Sequence, residues 1–191
     1  MIIIINGSPR PGGLIDQSLS LIGRTLEATG RNVCHIRIDE LRVTPCRGCM
    51  SCRQTGRCTL PPDDTRRVVS LLAEAEALVI GAPCYWGNIP GQLKVLFDRM
   101  VYALMADGSG LSPKPLHRGK RALLLSTSTT PFPLNILFHQ SHGAIRALKE
   151  ILRWSGFRIA GTFEKGGTRR HTGLSPREER QLQKLALRLT K

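Results

Sequence analysis

Aromatic side chains and acidic charge are what this sequence has least of. Two Trp and two Tyr occur in 191 residues, and 14 Asp and Glu stand against 28 Lys and Arg, a formal net charge of +14. The first shortage argues against a nucleic-acid surface, which interleaves basic residues with rings that stack on bases. The second favours an anionic partner: a phosphorylated cofactor, an acidic electron carrier, a nucleic acid or a membrane surface. The basic residues are scattered from Arg10 onward with no low-complexity arm, so charge alone does not choose among these. Long hydrophobic runs are missing too. The four isoleucines at 2 to 5 are too few for a membrane span or a signal-peptide core, and no basic leader or small-residue cleavage site accompanies them. A cytoplasmic chain without membrane contact is expected. There is no Walker loop, no GxGxxG, no HExxH, no Ser-His-Asp order and no acid/base carboxylate pair, so hydrolysis is not supported. Histidines 35, 117, 139, 142 and 171 show no metal spacing and read as surface or packing residues.

What is present has a regular order. An apolar content of 41% suits one compact domain spanning 1–191. Five strand-length segments, at 2–6, 32–38, 77–83, 121–127 and 157–163, are mostly apolar on consecutive positions, as parallel strands covered on both faces are. Between them run helical faces: Leu19, Ile22 and Leu26; Val68, Leu71 and Leu72; Leu93, Leu96, Met100 and Leu104; Ile145, Leu148, Ile151 and Leu152. Ser175-Pro176-Arg177-Glu178 is a capping box that starts a last helix carrying Leu182, Leu185 and Leu189. Alternation of this kind predicts an α/β fold with an open, doubly wound parallel sheet and a ligand site beyond the carboxyl ends of its strands.

The loops at that edge carry the chemistry. After the first strand comes Gly7-Ser8-Pro9-Arg10-Pro11-Gly12-Gly13, then Asp16-Gln17-Ser18 opening a helix. Glycines that expose amides, the Ser8 and Ser18 hydroxyls and a helix N-terminus suit a phosphate. After the third strand comes "APCYWGNIPG", and after the fourth "STSTTPFPLN". In these loops the chain resembles the NADPH-dependent FMN reductase and flavodoxin-like superfamily. The resemblance implies a flavodoxin-like three-layer sandwich: a five-stranded parallel sheet, order 2-1-3-4-5, with helices on both faces. It implies that Ser8 and Arg10, with Gln17 and Ser18, grip the FMN phosphate. Pro83, Tyr85, Trp86, Gly87 and Asn88 would line the flavin ring, with the amides of Gly87 and Asn88 as donors to its reduced form. Ser126 and Thr127 would offer hydroxyls to the ring edge or ribityl chain. In the family an Asn-Thr or Asn-Ser pair follows the first loop closely, whereas here Gln17-Ser18 comes after "PGGLID".

Four of the six cysteines fall within 45–60: Cys46, Cys49, Cys52 and Cys58, spaced C-x2-C-x2-C-x5-C, with Gly48 and Gly56 allowing a tight wrap. A reducing compartment disfavours disulfides. Zinc sites of four cysteines usually come as two separated C-x2-C knuckles, so three ligands in seven positions suit a cubane better, although zinc or an empty loop remains open. The run resembles the iron-sulfur flavoprotein branch of the superfamily, which implies that these four cysteines hold a [4Fe-4S] cluster beside FMN. Cys34 and Cys84 read as small buried hydrophobes. The expected protein moves electrons between one-electron carriers, such as an acidic ferredoxin, and two-electron acceptors or NAD(P)H, as a homodimer or homotetramer. Two alternatives stand beside it: an NAD(P)H-dependent FMN or quinone-type reductase without a cluster, and a basic nucleic-acid or regulatory binding module.

Overall fold

Five apolar segments form one parallel sheet in the computed structural model, which describes residues 1–108, 112–170 and 173–190. In chain order the elements are β1 (Ile2–Asn6), α1 (Leu14–Glu27), β2 (Val33–Arg37), a 3-10 turn at Ile38–Glu40, α2 (Ser51–Thr55), α3 (Asp64–Glu74), β3 (Ala77–Pro83), α4 (Gly91–Arg99) and α5 (Val101–Leu104). There follow β4 (Met105–Ala106), β5 (Lys114–Pro115), β6 (Arg121–Thr127), α6 (Leu134–Leu137), α7 (Gln140–Trp154), β7 (Arg158–Lys165), α8 (Pro176–Ala186) and a 3-10 turn at Leu187–Leu189. The sheet order is β2-β1-β3-β6-β7, with every pair parallel. Counted within the sheet this is the flavodoxin-like order 2-1-3-4-5. The sequence did not announce β4 and β5, which pair antiparallel as a separate two-stranded ribbon.

The isoleucine run explains the layers. Successive strand residues point to opposite faces. Ile3 and Ile5 join Ile36, Leu78, Ile80 and Leu124 against Val68 and Leu72 of α3, Leu93 and Leu96 of α4, and Leu148 of α7. Ile2 and Ile4 join Val79, Leu123 and Leu125 against Leu19 and Ile22 of α1 and Leu182 and Leu185 of α8. Each fully buried Ile or Leu contributes about 1.5–3 kcal/mol relative to exposure, so a segment apolar at every position is stable only between two helical layers. Strands β2 and β7, at the edges, are less buried.

Helix α8 begins at the expected capping box. The Ser175 amide donates to Glu178 Oε2 at 2.8 Å, and Ser175 Oγ accepts from the Glu178 amide. Lys165 Nζ reaches the same carboxylate at 2.8 Å, tying α8 to the end of β7. The strand order reverses at β1, between β2 on one side and β3 on the other, so the loops after β1 and β3 part there. That is where ligands enter folds of this topology. Among the described residues no helix is long and apolar enough to cross a membrane.

Candidate functional site

Two separate places converge chemically active side chains. The first is a cavity of about 220 Å³ at the carboxyl ends of β1, β3 and β6. Ser8, Arg10, Gly12 and Gly13 line it from the first loop, Pro83, Cys84 and Tyr85 from the third strand, and Thr127, Ser128 and Thr129 from β6. None of its described lining residues is a carboxylate. Helix α1 opens on this cavity with Gly13 as its N-cap and no side-chain cap, and Leu14 and Ile15 of its first turn are part of the wall. An uncapped helix N-terminus presents unpaired N–H groups and the positive end of the dipole. With Arg10 at the same wall, the cavity favours an anion.

The loop is held in shape by Asn6 and Asp16, to which the sequence assigned no site role. Asn6 Oδ1 accepts the Ser8 amide at 2.9 Å, while Asn6 Nδ2 donates to Asp16 Oδ1 at 2.8 Å. Asp16 also accepts the Gly12 amide at 2.9 Å and pairs with Arg37 Nη1 at 2.9 Å. One carboxylate therefore joins the end of β1, the loop and the end of β2. The nearest sequence signal was an acid in the first turn of a helix that follows a glycine-rich loop. Gln17 donates to the Gly12 carbonyl at 2.8 Å and so braces the loop from behind. Ser18 lies outside the cavity: it is buried, its hydroxyl donating to the Leu14 carbonyl at 2.7 Å.

The loop after β3 is a tight turn. Tyr85 N–H donates to Asn88 O at 2.9 Å and Asn88 N–H to Tyr85 O at 3.0 Å, with positive φ at both Trp86 (53°) and Gly87 (70°). That is the backbone of a type I′ turn. The Asn88 amide, expected as a donor to a flavin, is thus already committed to the turn, which leaves Gly87 as the candidate of the pair. Asn88 Oδ1 accepts the Ile89 amide at 2.8 Å. A tryptophan in the left-handed region costs about 1–2 kcal/mol, and Trp86 is fully exposed rather than folded into the cavity. Behind the turn, α7 comes so close that a Cβ added at Gly143 would collide with the Gly87 carbonyl oxygen. Glycine at 143 is what lets helix and turn touch.

Two further expected residues divide. Thr127 lines the cavity, and its carbonyl accepts the Cys84 amide at 2.8 Å. Ser126 points elsewhere: it is fully buried in β6, and its hydroxyl has no partner among the described residues. Cys84 is half-buried; its thiol donates to the Gln140 carbonyl, and burial raises its pKa against nearby amides of Ala144, Gly87 and Asn88 that lower it. It is a wall of the cavity as well as a small hydrophobe. Cys34 is partly buried against the core, as expected. Of the histidines, His117 is buried and stacked on Phe157 with ring centroids 4.9 Å apart, and burial lowers its pKa. His142 meets Glu164 at 3.4 Å. His171 lies outside the described residues.

The second place is the cysteine run. Cys46, Cys49, Cys52 and Cys58 share a cavity of about 130 Å³, walled also by Asp98 and Arg99 of α4 and by Val101. Its entry and exit are tied together. The Thr44 amide donates to Asp63 Oδ2 at 3.0 Å and the Arg42 amide to Asp64 Oδ2 at 2.7 Å, both carboxylates standing at the start of α3. Between these ends the chain wraps through left-handed backbone at Gly48, Met50 and Gly56. The short helix α2 sits between the last two of these, and polar Ser51–Thr55 gave no periodicity by which to foresee it.

The thiols are close enough to feel each other. Burial raises the Cys52 pKa, and ionised Cys58, Cys46 and Cys49 raise it further. Cys49 goes the other way: the Ser51 amide and hydroxyl and the Thr59 hydroxyl favour its thiolate. Cys46 Sγ accepts the Gly48 amide at 3.4 Å. All six cysteines are free thiols. Among the described residues, no three His, Cys, Asp or Glu side chains are gathered closely enough to hold a single metal ion.

The family model described as NADPH-dependent FMN reductase matches residues 1–162. The chain is 36% identical over 100 residues to an iron-sulfur flavoprotein of Methanosarcina thermophila and 33% identical over 102 residues to one of Methanocaldococcus jannaschii, each match covering 51% of this chain and 50% of the relative. It thus spans about half the length of these curated relatives. A longer match, 25% identical over 175 residues, covers 86% of this chain and 87% of an iron-sulfur flavoprotein of Archaeoglobus fulgidus. Among solved structures, an FMN-dependent NADH-azoreductase of Bacillus anthracis in complex with FMN superimposes with a TM-score of 0.74 at 16% identity, over 100% of this chain and 99% of that one. A quinone reductase fold from Klebsiella pneumoniae gives 0.74 at 18% identity, over 99% and 83%. At such identities these two attest the fold, while the family match over most of the chain carries the assignment: the chain belongs to the NADPH-dependent FMN reductase family, a family of FMN-dependent oxidoreductases.

Proposed function

We propose that this protein is an FMN-dependent oxidoreductase that also holds a [4Fe-4S] cluster on Cys46, Cys49, Cys52 and Cys58, and that it passes electrons between one-electron carriers and a two-electron acceptor or NAD(P)H. The observation that carries the reading is the sharing of one small cavity by four thiols on a fold whose other cavity suits an anionic cofactor. Bound there, FMN would supply a ring that exchanges electrons singly or in pairs, and the cluster a one-electron site.

The chain's own residues supply position and charge. The first-turn amides of α1, Ser8 and Arg10 would hold a phosphate, with Asn6 and Asp16 fixing the loop that carries them. Pro83, Tyr85 and Thr127 would border the ring, and the Gly87 amide would donate to its edge as negative charge develops. The donor set of the second cavity suits a cubane. Four thiols are available, and two of them already accept hydrogen bonds or face donors that favour thiolate. A cubane carries each cysteine on a different iron, so its thiolates stand farther apart than the ligands of one ion. That separation is compatible with the lack of a single-ion site among the described residues.

A second reading, an NAD(P)H-dependent quinone-type reductase with an empty cysteine loop, is favoured by the family match alone. Anaerobic purification followed by iron, acid-labile sulfide and flavin assay separates the two. About four irons and one FMN per chain support the cluster; flavin without iron leaves the second reading, and zinc in place of iron makes the loop a structural site. For assembly we propose a homodimer joined where Trp86, Phe132 and Phe138 stand exposed; light scattering that reports a monomer at micromolar concentration rejects it.

A further inference from the structure

We infer that Arg99 sets the reduction potential of the iron-sulfur cluster; the inference rests on the cluster reading above. Arg99 ends helix α4 and is 3% exposed, yet it is a wall of the cavity shared by the four cysteines. Its Nη2 meets Asp63 Oδ2 at 3.1 Å and its Nη1 donates to the Thr44 carbonyl at 2.8 Å. Its Nε is buried with no hydrogen-bond partner among the described residues.

A guanidinium withdrawn from water is costly unless paired and fully hydrogen-bonded. The pairing here is incomplete, because the Asp63 carboxylate is shared: it also accepts the amides of Thr44 and Thr65. A tether between α4 and the loop explains Nη1 and Nη2. It leaves Nε–H and part of the positive charge unaccounted for, beside a cavity lined with thiols.

Four thiolates around an iron-sulfur core give a net negative charge. One electron accepted from a carrier makes it more negative by one, so a nearby buried cation stabilises the reduced form and raises the potential. The other charges at this cavity are less suited, for Arg47 is exposed to water. Arg53 is bonded to Asp107 through Nε at 2.7 Å, and Asp98 is bonded to Lys94 at 2.6 Å; Asp107, Lys94 and Asp98 are each about half exposed, where water and salt screen them. Arg99 is the buried one. Its place in the last turn of α4 also sets it against the negative end of that helix dipole.

The test is an anaerobic redox titration, followed by absorbance and electron paramagnetic resonance, on the wild-type protein, Arg99→Gln, Arg99→Lys and Asp63→Asn, each with its iron and sulfide content measured. With iron retained, Arg99→Gln shifts the cluster midpoint to more negative values, Arg99→Lys restores most of the wild-type value, and Asp63→Asn, which frees the cation from its partner, shifts it positive. Opposite signs for the two neutralisations are what a purely structural tether does not produce. Full iron with an unchanged midpoint in Arg99→Gln, or shifts of the same sign in Arg99→Gln and Asp63→Asn, overturns the inference while leaving the cluster intact. Absence of iron from the wild-type protein overturns the cluster reading itself and the inference with it. Should Arg99→Gln fail to retain iron, the double variant Arg99→Gln/Asp63→Asn, which removes both charges of the pair, decides against Asp63→Asn alone: a midpoint more negative than that of Asp63→Asn upholds the role of Arg99, and an equal one ends it.

Discussion

The cavity at the sheet edge and the cysteine cavity are both built from loops, but they are held in different ways. Around the first, each turn has an internal reason for its shape. Asn6 and Asp16 bond the loop after β1 to both neighbouring strands, and Gly143 lets α7 press on the turn after β3. The second is fixed at its two ends, where Asp63, Asp64 and Arg99 gather the chain. Between them lie a five-residue helix, its Arg53 bond to Asp107 and a few bonds to sulfur. A site of the first kind exists before its ligand. A site of the second kind gains its final shape from the ligand, because the free energy of binding also supplies the ordering.

The sharpest way to break this comparison is to replace Cys58 with Ser. We expect complete loss of iron with FMN retained at about one per chain; joint loss of both would show that the two cavities are one cooperative unit. Gly143→Ala acts in the opposite region. Its Cβ meets the Gly87 backbone, so we expect about 1–3 kcal/mol of destabilisation and FMN binding at least tenfold weaker by fluorescence titration, with iron content unchanged. Asp16→Asn removes the charge that holds Arg37 and weakens the bond to the Gly12 amide. A loss of about 1–2 kcal/mol predicts an FMN dissociation constant raised about tenfold, without effect on the cysteine loop.

Acid should loosen the second region. Burial raises the Asp63 carboxyl, but the amides of Thr44 and Thr65 and the charge of Arg99 outweigh it and hold its pKa below the ordinary 3.8. A folded-state pKa lower than the unfolded one contributes stability that is present above the ordinary value and is lost as pH falls through the folded one. Hydrogen exchange of the Thr44 and Thr65 amides should therefore accelerate, relative to β1, as pH drops below about 4. The smallest effect is expected at Trp86. Trp86→Asn gives the turn a residue that accepts left-handed backbone more readily, for a gain of about 1 kcal/mol and a rise in Tm of about 2–4 °C. If FMN affinity falls at the same time, the strained indole serves the cavity despite its exposure.

Much of this was legible in the sequence. Consecutive apolar positions marked β1, β3 and β6 most clearly, because a strand covered on both faces has no polar side to confuse with a helix, while the edge strands β2 and β7 showed mixed patterns. The box at Ser175–Glu178 marked α8 because it is a local bonding pattern. The cavity wall was legible where its residues lie on one loop, as Ser8 and Arg10 do, and illegible where its shape depends on partners far apart in sequence. Asp16 gains its role from Asn6 and Arg37, and Gly143 from Gly87. The burial of Ser18 had its own signal in the sequence: Leu14, Ser18, Ile22 and Leu26 recur every fourth residue and form one buried stripe of α1. Asn88 was expected to offer its amide, but a turn of only four residues consumes it.

Helix α4 joins the two regions, and its length has a consequence of its own. It starts after the turn of Tyr85–Asn88 and ends at the wall of the cysteine cavity, nine residues or about 13 Å later. A helix is a stiff gauge, so thermal motion of the cysteine loop has little leverage on the gap between the cavities. An insertion within α4 would do what no substitution can: one added residue lengthens the gauge by about 1.5 Å and swings Arg99 around the axis by about 100°. If both cavities carry electrons as proposed above, the spacing between them is written as a count of residues, which a single inserted codon would change.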